Sequence, residues 1–335
     1  MDKRKLLPLG LVIILLVVWK LQNDSHSSGF ITLTGTTMGP IVYNIKYLGD
    51  TNYQVAIDSL LEAFNQSLST YIPDSEISRF NGNDSLAFQS PFFYPILKLS
   101  KDIHQLTEGA FDPTLGPLIN AWGFGPNRNR DPENINIDSL KRLVGFSKIR
   151  FDETKIIKED RGMSLDFSAV AKGYAVDLVS QFLEDNDVDD YMVEIGGEVR
   201  CSGQNPSGKI WRIGIENPTV APGEQELFAT TVVENRSLAT SGNYRNFYEV
   251  DGKKYAHTIS PFTGAPVEHS LLSASVFSVS CMAADALATG FMVLGLEKSI
   301  EIVENSRDIE AYLIYADEDG TLQTYSSRGV KTEVE

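Results

Sequence analysis

Asp285 and Thr289 lie four residues apart in an apolar stretch, Ser280-Cys-Met-Ala-Ala-Asp-Ala-Leu-Ala-Thr-Gly-Phe-Met-Val-Leu-Gly295. The stretch reads as a buried helix, with Gly290 its one weak helix former and Gly295 its stop. Four residues is about one helical turn, so the carboxylate and the hydroxyl share a face. A carboxylate among Ala, Leu and Met is costly unless it is paired or bound to a metal. Carboxylate and hydroxyl together make a hard-oxygen pair, suited to Mg2+ that also holds substrate phosphates. The competing reading is structural. In it Thr289 bonds the carbonyl one turn back, and Asp285 pairs with an arginine elsewhere.

Two further stretches carry chemistry. Leu165-Asp-Phe-Ser-Ala-Val-Ala-Lys-Gly-Tyr-Ala-Val-Asp177 puts an acid and a lysine around a helix start. Asp166 or Ser168 can cap that helix, whose first N–H groups and dipole would then meet an anion. Lys172, one turn further in, could meet a phosphate as a point charge. Without a ligand, the same residues make a capped helix with a solvated lysine. The second stretch pairs Ser241-Gly-Asn-Tyr-Arg-Asn-Phe247 with Tyr255-Ala-His-Thr-Ile-Ser-Pro-Phe-Thr-Gly264. His257, one of four histidines, sits there in an apolar strand pattern. It is either a satisfied core histidine or a group that titrates near neutral pH.

Taken together, these stretches resemble the FAD:protein FMN transferases, the ApbE family. The matching segments are Gly35-Thr-Thr-Met-Gly39, Ser75-Glu-Ile-Ser-Arg-Phe-Asn81, Gly109-Ala-Phe-Asp-Pro-Thr-Leu-Gly-Pro117 and Trp122-Gly-Phe-Gly125. Asp166 to Asp177, Gly196-Gly197, Ala239-Thr-Ser-Gly242, His257 to Gly264 and Ala284-Asp-Ala-Leu-Ala-Thr289 complete them. Each is short, and their order and joint presence make the match specific. The resemblance implies that FAD is cleaved at its diphosphate, that FMN passes to a threonine hydroxyl of a partner protein, and that AMP leaves. It implies Mg2+ on Asp285, Thr289 and the backbone carbonyl of Ala169. It places FAD against Asp166 and Lys172, in a pocket lined by Met38, Tyr71, the Ala110-Phe111-Asp112 segment and Ile259. Tyr71 could stack on an aromatic ring of FAD. His257 is the candidate general base, with Asp285 as the other catalytic group. The implied partners are exported subunits of membrane redox complexes. An Mg2+-dependent FAD pyrophosphatase, releasing FMN and AMP to water, is the alternative activity, and a passive flavin binder is a third. Two positions depart from the family pattern. Phe167-Ser168 stands where a Gly-Gly pair is common, and Ser260 stands where an Asp often precedes the Pro-x-Thr-Gly turn.

The elements that must position these residues are expected to be mixed. Helical periodicity covers Tyr53 to Leu68, Pro91 to Thr107, Ile137 to Val144, Ala169 to Leu183 and Glu297 to Asn305. Strand patterns run over Phe30 to Tyr47 in two pieces, then Lys148 to Lys158, Ser164 to Phe167, Tyr191 to Ile195 and Val199 to Ser202. They continue at Trp211 to Glu216, Leu227 to Val233, Ser237 to Thr240, Tyr255 to Ile259, Leu271 to Val279, Glu310 to Ala316 and Leu322 to Ser326. Strands and helices do not alternate regularly, so the expected class is α+β, a two-lobed mixed catalytic unit over 30–335.

The chain has 335 residues, 42% hydrophobic and 22% charged, as a globular fold requires. A net charge of −16 argues against nucleic acid as a partner. Cys201 and Cys281, the only two cysteines, match no zinc spacing and are expected to be buried free thiols. The basic start Met-Asp-Lys-Arg-Lys5 precedes an uncharged run from Leu6 to Trp19. No small-residue cleavage site follows it, so residues 1–21 are expected to be an uncleaved signal anchor, with 22–29 a polar linker. The basic start would stay in the cytoplasm and the body would lie on the periplasmic side of the cytoplasmic membrane.

Overall fold

Alternating apolar residues build one large sheet, and helices cover one of its faces. The structure, a computed structural model, describes residues 29–126, 132–220, 226–242, 247–250 and 253–334. The chain enters through the hairpin β1 (Gly29–Thr37) and β2 (Ile41–Gly49). Helices α1 (Gln54–Leu68) and α2 (Glu76–Gly82), strand β3 (Ser85–Ala87) and helices α3 (Phe93–Leu106), α4 (Gly116–Ala121) and α5 (Ile137–Lys141) follow. Next come β4 (Ile149–Phe151), β5 (Lys155–Lys158), α6 (Ala171–Glu184), β6 (Tyr191–Ile195) and β7 (Glu198–Ser202). Strands β8 (Trp211–Glu216), β9 (Leu227–Val233), β10 (Arg236–Gly242), β11 (Phe247–Val250), β12 (Lys253–Ala256) and β13 (Leu271–Ser278) continue the chain. It ends in α7 (Cys281–Leu294), α8 (Leu296–Asn305), β14 (Glu310–Ala316), β15 (Leu322–Ser326) and β16 (Thr332–Val334).

The main sheet runs β1-β2-β6-β7-β10-β13-β14-β15, with every neighbouring pair antiparallel. Residues alternate between its faces, as pleating requires. Tyr191, Val193 and Ile195 of β6 join Val176 and Val179 of α6 and Leu287 and Phe291 of α7 in the main core. Val199 and Cys201 of β7 join Trp211, Ile215 and Val233 of the small sheet β16-β9-β8 on the other side. A satellite cluster of Leu115, Leu118, Trp122 and Ile259 ties the α4 segment to the chain after β12. The class is therefore α+β, as the irregular order of elements implies.

Several expectations change in detail. Ser164 to Phe167 is not a hairpin strand; Ser164 makes one parallel bridge to Leu115. The Asn81 side chain takes the place of a pairing strand there. Its Oδ1 accepts from Leu165 N at 2.7 Å and its Nδ2 donates to Leu165 O at 2.9 Å. Extended backbone and buried Leu165 thus arise without a ladder. The strand expected over Tyr255 to Ile259 stops at Ala256, and Ile259 forms a lone bridge with Pro266. Strands β3, β11 and β16 are additional to the expected set. Among the described residues no helix is long and apolar enough to cross a membrane. The apolar run over 6–21 lies outside the described residues. Cys201 and Cys281 are both free and buried.

Candidate active site

Helices α6 and α7 pack face to face, and the site lies where they meet. Ser280 is the N-cap of α7, its hydroxyl accepting from Ala283 N at 3.2 Å. Asp177 of α6 reinforces that cap from the neighbouring helix. Its carboxylate accepts from Cys281 N at 2.9 Å, Met282 N at 3.0 Å and the Ser280 hydroxyl at 2.7 Å. Arg200 holds the same carboxylate at 3.2 Å. A carboxylate is well placed at a helix N-terminus, where the free N–H groups and the dipole meet it. The consequence is positional: one side chain of α6 fixes the start of α7, and Asp285 follows one turn later.

Asp285 reciprocates. It is 2% exposed, and its Oδ2 accepts from Gly173 N in the first turn of α6 at 2.9 Å. Its Oδ1 faces the Lys172 ammonium at 3.6 Å, beyond hydrogen-bond distance. Lys172 makes its closer contact to Glu198 Oε1, at 2.6 Å. Burial alone would lower the Lys172 pKa, but the Asp285 and Glu198 carboxylates outweigh it and the lysine is held charged. Burial raises Glu198 above the usual carboxylate range, against the pull of Lys172. Among the described residues the charged partner of Asp285 is therefore a lysine and not an arginine. Thr289, one turn on, meets the Ser241 hydroxyl at 3.1 Å.

The start of α6 differs from the expected cap. The helix begins at Ala171, its N-cap is Val170, and no side chain caps it. Asp166 Oδ1 accepts from Ser168 N at 2.8 Å instead, tightening the turn before Ala169. The anion at this helix start is Asp285 itself. Close approach makes that possible, because a Cβ on Gly173 would collide with the Cys281 carbonyl oxygen and lie 2.8 Å from Asp285 Cβ. Gly173→Ala is therefore expected to cost about 1–3 kcal/mol by overpacking. It should also lower activity by prising Lys172 from Asp285. Paired thermal melts and activity assays check this, and an unchanged melting temperature would contradict it.

The other expected site residues have their own local settings. Met38 sits in the β1–β2 turn at φ 48, a strained conformation for a side chain of its size, before Gly39 at φ 85. Tyr71, after α1, is 59% exposed. Ala110, Phe111 and Asp112 are buried, and a Cβ on Gly290 of α7 would lie only 3.0 Å from Thr107 Cγ2, in the turn just before them. Asp112 Oδ1 accepts from Thr114 N at 2.8 Å and from its hydroxyl at 2.6 Å. Burial raises its pKa, against these bonds and the nearby His104. Ile259 is buried in the satellite cluster. His257 is half-buried, its ring 6.4 Å from Phe124, while Tyr255 packs on Trp122 at 5.6 Å. Trp122 Nε1 also donates to Gly264 O at 2.8 Å, fastening the turn beyond His257. Ser260 performs the capping that an Asp would, its hydroxyl accepting from Phe262 N at 3.3 Å and Thr263 N at 3.4 Å.

Lys172, Asp285 and Glu198 are thus brought together, with Thr289 on the same helix as Asp285. Glu198 is the member of this cluster that sequence reasoning missed. Its signal was an acid directly after Gly196-Gly197, which turn at φ 60 and φ 102 between β6 and β7. A cavity of about 450 Å³ lies between β1 and α1, lined by Thr34, Tyr43, Asp58 and Asn65 among others. It shares no residue with this cluster.

The three residues that the resemblance implies as metal ligands are all oxygen donors. Among the described residues no three His, Cys, Asp or Glu side chains gather to hold an ion. Asp285 Oδ1, the Thr289 hydroxyl and the Ala169 carbonyl are hard oxygens too few for a closed cage. Mg2+ accepts such a set, completed by phosphate and water.

Comparison with known proteins shows the family of the chain. Residues 35–313 match the ApbE family. The chain is similar to the FAD:protein FMN transferase of Vibrio cholerae, 38% identical over 314 residues, covering 89% of this chain and 91% of the relative. The enzyme of the same description from Escherichia coli K12 is 34% identical over 320 residues, covering 92% and 90%. Among solved structures, the flavin transferase ApbE from Vibrio cholerae superposes with a TM-score of 0.80 at 37% identity, covering 89% of this chain and 97% of that one. The apo flavinyl transferase ApbE of Pseudomonas stutzeri gives 0.78 at 34% identity, covering 89% and 95%. A family match over most of the chain, with relatives above 30% identity along nearly their whole length, settles the kinship: the chain belongs to the ApbE family.

Proposed function

We propose that this protein is an FAD:protein FMN transferase that moves the FMN half of FAD onto a threonine hydroxyl of an exported acceptor protein, with Mg2+ at the diphosphate and AMP as leaving group. The observation that carries the reading is the half-buried Lys172 ammonium facing the buried Asp285 Oδ1 at 3.6 Å, with Thr289 one turn away. The family membership supports it.

Asp285, Thr289 and the Ala169 carbonyl would hold Mg2+, whose charge neutralises the diphosphate and stabilises the departing phosphate oxygen. Lys172 would lend its ammonium to the same diphosphate. Asp166 would contact FAD, and Met38, Tyr71, the Ala110–Asp112 segment and Ile259 would shape its pocket. His257 would take the proton from the acceptor hydroxyl. The threonine oxygen then bonds to the FMN phosphorus as the bond from that phosphorus to the bridging oxygen breaks, and AMP carries the bridging oxygen away. Incubation with FAD, Mg2+ and a flavin-acceptor protein tests the reading. Covalent fluorescence on the acceptor is expected. Free FMN without labelled acceptor would make the chain an FAD pyrophosphatase, and intact FAD would make it a binder.

We also infer that the body works outside the cytoplasmic membrane, held by residues 6–21, where subunits of membrane redox complexes would be its acceptors. The basic start and uncharged run support this. N-terminal sequencing of protein from cells should find the segment retained. A mature chain beginning near Ser25 would contradict the anchor.

A further inference from the structure

Glu198 is 2% exposed, and its Oε2 has no hydrogen-bond partner among the described residues. A buried carboxylate oxygen without a donor is destabilising, so its retention calls for a reason. The other oxygen, Oε1, holds the Lys172 ammonium at 2.6 Å, a full ångström closer than Asp285 Oδ1 does. The backbone beneath is shaped to allow this. A Cβ on Gly196 would lie 2.7 Å from Ile41 Cγ2 and 3.2 Å from Lys172 Cδ, so any side chain there would disturb the lysine stem.

The distances describe a competition. Lys172 lies between two carboxylates, and only Asp285 belongs to the oxygen set suited to a metal. An ammonium that closed on Asp285 would fill the position facing Oδ1 and cancel its charge. We propose that Glu198 is a positioning residue that draws the Lys172 ammonium off Asp285 and so keeps Asp285 Oδ1 open to a divalent cation. The proposal rests on the reading of Asp285 and Thr289 as Mg2+ ligands. Glu198 itself touches neither ion nor FAD in this scheme.

The test is calorimetric titration of Mn2+ and Mg2+ into the protein without FAD, comparing wild type, Glu198→Gln, Lys172→Met and the double variant. Glutamine keeps the shape and one acceptor oxygen but loses the charge. Glu198→Gln should weaken cation binding roughly 10–100-fold, the scale of changes to groups that orient metal ligands. The double variant should regain wild-type affinity or better, because the competing ammonium is gone. A crystal structure of metal-free Glu198→Gln should show Lys172 Nζ at hydrogen-bond distance, about 2.8 Å, from Asp285. Unchanged cation affinity in Glu198→Gln, a double variant as weak as Glu198→Gln, or a lysine that stays in place would each overturn the proposal. A wild type that binds neither cation would instead overturn the metal reading beneath it.

Discussion

Asp285→Ala should abolish flavin transfer, by roughly 10²–10³-fold or more, the scale on which one preorganised electrostatic stabiliser acts. In the proposed ligand set Asp285 is the one carboxylate, and without it the cation that would offset the phosphate charge would be held less tightly. The substitution also removes the acceptor of Gly173 N, which then stays buried without a partner. Asp285→Asn separates the two effects. Its amide oxygen can still accept from Gly173 N, so stability should stay close to wild type while transfer is lost. Transfer at the native rate by Asp285→Ala in limiting Mg2+ would refute the assignment. A loss in Asp285→Ala that Asp285→Asn does not share would show the residue to be structural.

His257→Asn should lower kcat by roughly 10²–10⁴-fold with FAD affinity nearly unchanged, the signature of a lost general base. The sign of the pH dependence follows from the chemistry. A base must be neutral to accept a proton, so wild-type activity should fall as falling pH protonates the histidine. In His257→Asn the acid limb should flatten. The surroundings suit a fixed base, since Phe124 packs at the ring and Trp122 fastens the following turn through Gly264. If His257→Asn instead raises the FAD dissociation constant and keeps the acid limb, the residue orients phosphate. The proton acceptor would then lie elsewhere, Asp285 among the candidates.

Much of the site could be read from residue order because it rests on local rules. The helix from Cys281 to Leu294 begins after Ser280 and ends at Gly295 with φ 82, where cap and stop residues place its ends. The four-residue spacing of Asp285 and Thr289 follows from that helix alone. The strands over Tyr191–Ile195 and Trp211–Glu216 were equally plain, being short apolar or alternating runs between turns. What escaped was set by contacts distant in sequence. Glu198 gains its meaning only when β7 lies beside α6 and brings it to Lys172, 26 residues away. The start of α6 looked cappable by Asp166 or Ser168, yet the anion there comes from Asp285, 112 residues from Gly173. Asn81 satisfying Leu165 across 84 residues made a non-strand look like a strand. Periodicity does not report a side chain that substitutes for a neighbouring backbone.

The most direct test of the central claim is intact-mass measurement of an acceptor protein after incubation with this enzyme and Mg2+, with FAD or FMN supplied in parallel. The account predicts one FMN adduct on a threonine for each AMP released from FAD, and no adduct when FMN is supplied. AMP release from FAD with the acceptor unmodified, or equal labelling from FMN, would contradict it.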